Sequence, residues 1–265
     1  MVTAGTVLLR CDKVTLAFGE NVVQTNLSFS VRPGSIFAVM GGSGCGKSTV
    51  LRALIGLLPP AAGSVFIDGE DLWAADPPRR VEISRRFGVL FQSGALWSSL
   101  TVGENVALPL QMLTKLDPAA IAALVRLKLA LVGMAAAEAK LPAALSGGMR
   151  KRAGLARALA LDPDILFFDE PSAGLDPVAS QRLDQLILEL RDGLGATVII
   201  VSHELASLLS ICDDGVFLDA DAKTAIAHGA PRTLRDSSPN PTVQAFMRRS
   251  APQPAAARER LRVVR

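Results

Sequence analysis

An α/β fold built on a mainly parallel sheet is what the sequence predicts, on three grounds. Short apolar runs alternate along the chain with amphipathic helical patterns. Two of the runs, DILFFDE (164–170) and TVIIVSH (197–203), are apolar on both faces, as strands enclosed in a parallel sheet are. A third, SIFAVM (35–40), passes through a glycine-rich turn straight into a helical pattern.

The elements follow in order. VTLAF, LSFSV, SIFAVM and SVFID read as strands, separated by turns at Arg32-Pro33-Gly34-Ser35 and Asp68-Gly69. KSTVLRALIGLL reads as a helix stopped by Pro59-Pro60, and RFGVLFQ as a further buried strand. Residues 94–145 are Ala/Leu-rich and read as short helices broken by Pro109, Pro118, Gly133 and Pro142. Asp176-Pro177 is an N-cap with proline at the first helical position. Leu183, Leu186, Ile187, Leu190 and Leu194 then mark one helix face, ended by Gly193 and Gly195.

The totals exclude several classes. Net charge is only +3, so the pI of 9.0 overstates basicity, and a nucleic-acid binder is not indicated. Mean hydropathy is +0.34, yet no apolar run approaches the roughly 18 residues of a spanning helix. MVTAGTVLLRCDK lacks the layout of a signal peptide. Cys11, Cys45 and Cys212 are odd in number and without metal spacing, which fits a reducing cytosol.

GGSGCGKST (41–49) fits G-x-x-x-x-G-K-[ST] in the strand–turn–helix setting that the pattern needs. Across Gly41, Gly42, Ser43, Gly44, Cys45 and Gly46 the backbone can wrap closely and aim N–H groups at phosphate oxygens. The helix N-terminus adds positive potential. Lys47 suits the β- and γ-phosphates and the Ser48 hydroxyl suits Mg²⁺, with Thr49, the next residue, a further nucleotide-binding candidate. Asp169 and Glu170 end an apolar strand. Asp169 suits an outer Mg²⁺ ligand and Glu170 the orienting of a water for in-line attack, although alone the pair reads equally as solvated acids. Gln92 and His203 end two more strands. Together these place polar groups along the carboxyl edge of the sheet, where ligands gather.

LSGGMRKRAGLARAL (145–159) opens a helix with no side-chain bulk at Gly147 and Gly148. Arg150, Lys151 and Arg152 follow, and cations in a first turn oppose the helix dipole. A polyphosphate at Ser146–Gly148 would offset that conflict. Otherwise Arg150 and Lys151 read as solvated and Arg152 as structural.

The order of phosphate loop, Gln92, helical stretch, LSGGM, ILFFDE, Ser172-Ala173-Gly174-Leu175-Asp176 and His203 resembles the ATP-binding-cassette (ABC) ATPases over about residues 6–235. Met149 replaces the Gln of the usual LSGGQ. The resemblance implies a P-loop NTPase core with a mainly parallel sheet, an antiparallel β subdomain, and an α-helical subdomain inserted at about 94–160. It implies an ATPase domain over 1–235 and an arginine-rich extension over 236–265. ATP and Mg²⁺ would be the cofactors, with Ser48, Gln92 and Asp169 around the metal, and Lys47, Gln92, Glu170 and His203 catalytic. Ser146, Gly147 and Gly148, with Asp176 of the loop before the next helix, would close on ATP held by a second copy of the chain. Phe18, in LAFGE, matches the position where many members stack an aromatic on adenine, usually Tyr, which this chain lacks; the alternative is a core residue at a strand end.

MRKRAGLARAL and FQSGALWSSLTVGENVALPL are further similar to the ATPases of Mce/Mla-type lipid transporters. That likeness implies an integral-membrane permease, a small accessory subunit and an Mce-type substrate-binding protein as partners, no nucleic acid, and a place on the cytoplasmic face of the inner membrane. Leu96 and Trp97 are then a docking patch if exposed, or core if buried. TVQAFMRR and the arginines beyond it are either disordered, a helix docked on a neighbouring subunit, or a contact for anionic lipid. The rival readings are a solute importer, a lipoprotein exporter, a non-transport ABC protein and an ATP-holding module without turnover.

Overall fold

The computed structural model describes residues 7–248. β1 (Leu9–Phe18) and β2 (Asn21–Val31) pair antiparallel and bury largely alternate residues. β3 (Ile36–Gly41) buries every residue. α1 (Lys47–Leu54) follows the glycine-rich turn. It ends several residues before Pro59-Pro60, because the left-handed backbone at Gly56 (φ +81°) already turns the chain. β4 (Ala62–Ile67) and β5 (Glu70–Asp71) form a hairpin whose two connecting residues, Asp68 and Gly69, both have positive φ, as a tight hairpin turn demands.

α2 (Pro77–Ser84) leads to β6 (Phe87–Leu90). α3 (Val102–Leu113), α4 (Pro118–Leu131) and α5 (Gly147–Ala158) come next. Pro109 does not break α3. It removes one N–H donor, but a capping box at Thr101 and Glu104 and the buried Val102, Val106 and Leu110 hold the helix through it. Pro118 instead opens α4, behind the Asp117 cap. β7 (Ile165–Asp169), α6 (Pro177–Leu194), β8 (Thr197–Val201), α7 (Leu205–Ile211), β9 (Asp214–Asp219), β10 (Thr224–His228), α8 (Pro231–Ser237) and α9 (Pro241–Arg248) complete the described chain. Gly193 lies inside α6, and only Gly195, at φ +67°, ends it.

The strands form two sheets. One is antiparallel, β2-β1-β4-β5; the other runs β10-β9-β3-β8-β7-β6, parallel throughout except for the edge strand β10. The double-faced apolar runs have their explanation here. Ile36, Ala38 and Met40 of β3 face a core shared with α3 to α9, whereas Phe37 and Val39 face a core shared with α1 and the antiparallel sheet. Phe168 and Phe167 divide between the same two cores. Truncating such fully buried aromatics costs about 3–5 kcal/mol, so the end of β7, and Asp169 and Glu170 with it, is firmly anchored.

TVQAFMR (242–248) does form a helix, and it docks on its own chain. Val243 and Met247 of α9 are buried in the core of that face, and Phe246 meets Phe217 edge-on at 5.0 Å. The arginines from Arg249 onward lie outside the described residues. Cys11, Cys45 and Cys212 are all buried as free thiols.

Candidate active site

The parallel order β3-β8-β7-β6 sets four carboxyl ends side by side. Gly41 ends β3 at φ +145°, and a Cβ there would lie 2.4 Å from the Leu218 carbonyl oxygen. Gly46 caps α1 at φ +93°, where a Cβ would lie 2.5 Å from Val23 Cγ1. Packing and conformation both demand glycine at these two positions. The buried Lys47 Nζ donates to the carbonyls of Gly41 (3.0 Å) and Gly42 (2.8 Å), curling the loop around its ammonium. A brace comes from β2: the buried Gln24 donates through Nε2 to the Cys45 carbonyl at 2.7 Å and the Asp219 carbonyl at 3.3 Å.

Ser48 Oγ donates to Asp169 Oδ1 at 3.2 Å. Burial pushes the Asp169 carboxyl above the usual range; the Ser48 hydrogen bond draws it back, Glu170 adds to the rise, and Arg52 and Lys47 oppose it. Among the described residues no three His, Cys, Asp or Glu side chains converge on a metal position. A magnesium ion, which keeps waters and phosphate oxygens among its ligands, needs no such cage. The oxygen pair of Ser48 and Asp169 fits it.

Glu170 follows β7 with a left-handed backbone (φ +50°), and its N–H donates to the Val201 carbonyl at 2.8 Å. Its Oε2 accepts from Ser202 Oγ at 3.1 Å and the His203 N–H at 3.4 Å. Its Oε1 lies 2.7 Å from His203 Nδ1. The acid and the histidine are therefore a pair, each from the end of a neighbouring strand. A cavity of about 810 Å³ brings Gly42, Ser43, Gly44, Gly46, Lys47, Ser48 and Thr49 together with Gln92, Glu170, His203 and Phe18. Phe18 is 50% exposed, which removes the core reading. Gly41, Cys45 and Asp169 are not among the residues that line it. Burial pushes the Cys45 thiol up, with Lys47 opposing, so it stays a thiol.

Ser146, Gly147, Gly148 and Asp176 are not in this cavity; they line a separate one of about 340 Å³. Ser146 caps α5 by accepting the Met149 N–H through Oγ. The Asp176 carboxylate accepts the N–H groups of Val178 and Ala179, both at 3.0 Å, and so caps α6. Of the cations after the glycines, Arg150 is exposed, with its guanidinium donating to the Leu145 carbonyl, and Arg152 braces the Gly133 carbonyl as a structural residue does. Lys151 is not solvated but 6% exposed, because its ammonium finds the carbonyls of Glu170 and Ala173.

The pair Leu96 and Trp97 is split. Leu96 packs on the core and Trp97 is 61% exposed. The buried Asn105 holds the segment, accepting the Trp97 N–H at 2.8 Å and donating to the carbonyls of Trp97, Leu100 and Thr101. Sequence reasoning missed Gln24, Asn105 and Ser202, and read Lys151 as solvated. A single amide or hydroxyl inside a strand or helix pattern carries no signal of its distant partner.

No helix among the described residues is long and apolar enough to cross a membrane. The family profile for ABC transporters matches residues 24–173. The chain is 42% identical over 234 residues, 88% of it and 86% of the relative, to the intermembrane phospholipid transport system ATP-binding protein MlaF of Escherichia coli K12. It is 41% identical over 241 residues, 91% of it and 66% of the relative, to the probable ribonucleotide transport ATP-binding protein mkl of Mycobacterium tuberculosis H37Rv. Its fold is similar, with a TM-score of 0.77, to a dimeric ATP-binding cassette in a post-hydrolysis state bound to ADP and Pi; identity is 28%, across 83% of this chain and 97% of that one. It is also similar in fold to cbiO1 of Clostridium perfringens, part of an ABC transporter complex, with a TM-score of 0.77, 24% identity and 91% and 99% covered.

Proposed function

The chain belongs to the ABC transporter family and hydrolyses ATP, and from that premise we propose that it is the ATPase subunit of an envelope transporter that moves phospholipid. The observation that supports the mechanism is the separation of the two cavities. Lys47, Ser48, Glu170 and His203 share one, while Ser146–Gly148 line the other. One chain therefore carries two half-sites, and two copies arranged head to tail complete both.

In this reading Lys47 and the loop N–H groups hold and neutralise the β- and γ-phosphates. Ser48, Asp169 and Gln92 would hold Mg²⁺, which would supply positive charge to neutralise the phosphates. The Glu170 carboxylate accepts a hydrogen bond from the attacking water and aligns it. His203 steadies that carboxylate through Nδ1 and faces the terminal phosphate. The partner's signature glycines close the far side. Phe18 offers its ring to the adenine, and Phe18→Ala is expected to raise the KM for ATP about 10-fold with little change in kcat, since a stacked ring is worth about 1–3 kcal/mol. Steady-state kinetics checks this; an unchanged KM removes Phe18 from the site.

The chain acts peripherally at the cytoplasmic face of the inner membrane, on an integral-membrane permease, with a small accessory subunit and an Mce-type substrate-binding protein in the complex. Trp97, exposed and held through its backbone by Asn105, gives a permease helix an apolar contact in the segment that follows Gln92. Likeness over most of the chain to ATPases of intermembrane phospholipid transport supports the cargo. The mycobacterial relative supports a second cargo, a ribonucleotide. Native purification of the complex from membranes, with mass spectrometry of its proteins and small molecules, decides between them. Bound phospholipid with an Mce-type subunit is expected. A nucleotide-type solute bound outside the ATPase, with no lipid, overturns the first reading.

A further inference from the structure

Lys151 joins two parts of the molecule that serve different nucleotides. It lies on α5, the helix that starts at Gly147 behind the Ser146 cap. Its Nζ donates to the Glu170 carbonyl at 3.1 Å and to the Ala173 carbonyl at 2.6 Å. Among the described residues it makes no ion pair, so carbonyl dipoles alone meet its buried charge directly. Burial pushes the ammonium below the usual lysine range, and the nearby Glu170 and Glu204 charges resist that.

A buried cation with only carbonyl partners is costly to keep for packing alone. Its partners suggest the reason. Glu170 is one of the few non-glycine residues with positive φ. Such a conformation is strained and persists only where the surroundings fix it. The N–H of Glu170 is held by the Val201 carbonyl, and its own carbonyl accepts from Lys151 Nζ and, at 3.3 Å, from the Ala173 N–H. Both peptide groups flanking its Cα are therefore pinned, and the carboxylate is aimed by the backbone as much as by Ser202 and His203.

We propose that Lys151 is a positioning residue that locks the Glu170 turn to the signature helix, so that closure of Ser146–Gly148 on one ATP is felt at the water-orienting acid of the other. This rests on the reading of Glu170 as that acid. Loss of the lock lets the carboxylate wander, and a misplacement of about 1 Å costs on the order of 10²-fold in rate.

The test is a double-mutant cycle on the assembled transporter, with Lys151→Met, Glu170→Gln and the double variant. Lys151→Met is expected to lower kcat about 10- to 100-fold with the KM for ATP within about 3-fold. In the Glu170→Gln background it adds no further loss, read by single-turnover hydrolysis of labelled ATP. An equal loss in both backgrounds, a raised KM at unchanged kcat, or wild-type kinetics overturns the proposal. Should Lys151→Met not fold, Lys151→Gln, which keeps a donor of shorter reach, enters the same cycle with the same criteria. Wild-type turnover in Glu170→Gln alone overturns the reading of Glu170 instead, which separates the two failures.

Discussion

Glu170→Gln is expected to lower ATP turnover by about 10²- to 10⁴-fold, the range that a positioned base contributes, while ATP binding survives. The amide has the shape of the carboxylate, so the fold around it stays intact. Ser202 Oγ can still donate to the remaining oxygen. What is lost is the acceptor for the water proton and half of the pairing with His203 Nδ1. Nothing that holds the phosphates changes: Lys47 stays within its two carbonyls and Ser48 stays beside Asp169. Removing a negative charge beside the terminal phosphate also relieves repulsion in the closed state. The variant should therefore accumulate an ATP-dependent dimer, seen by size-exclusion chromatography with light scattering, at unchanged or tighter nucleotide affinity. Turnover equal to the parent's would exclude Glu170 as the residue that aligns the water.

Much of this site was legible because its chemistry is local. The loop from Gly41 to Thr49 carries its own geometry: glycines with unusual φ, then a helix start. Strands apolar on both faces announced the two cores, and the strand ends announced where Asp169, Glu170, Gln92 and His203 would meet. What escaped notice depends on long-range approach. Lys151 reads as a solvated cation on any helical wheel, until the β7–α6 loop folds over it. Gln24 and Asn105 look like ordinary polar positions, until their amides meet carbonyls of the phosphate loop and of the segment after Gln92. Pro109 and Pro59-Pro60 misled in the opposite sense. A proline ends a helix only where packing and capping do not hold the chain on both sides, and a glycine upstream can end it sooner. Trp97 and Phe18 could not be placed from hydrophobicity, because an exposed aromatic at a binding surface and a buried one have the same sequence.

Gly147→Asp is expected to separate stability from activity, with opposite signs. Gly147 is the first residue of α5 and is exposed, and a Cβ built there meets nothing within 4 Å. Its φ is not in the left-handed region, so no conformational need within the protomer calls for glycine. An aspartate at a first helical turn stabilises the helix by about 0.3–1 kcal/mol through the dipole, and replacing glycine adds helix propensity. The isolated chain should therefore melt at the same temperature or slightly higher. Its Mg-ATP binding at Lys47 should be unchanged, because that cavity is a different one. Turnover and ATP-driven dimerisation should nevertheless fall by about 10²-fold or more, since in the proposed head-to-tail arrangement the new carboxylate would occupy the space, and oppose the charge, of the partner's triphosphate. A buffer-salt series sharpens the argument. Exposed charge repulsion is screened at higher ionic strength, whereas a steric block is not, so partial recovery in salt measures the electrostatic share. Open space at Gly147 leaves room for the triphosphate that the proposed head-to-tail arrangement would bring there. Full activity in Gly147→Asp would show that no nucleotide approaches α5, and the head-to-tail arrangement would fall with it.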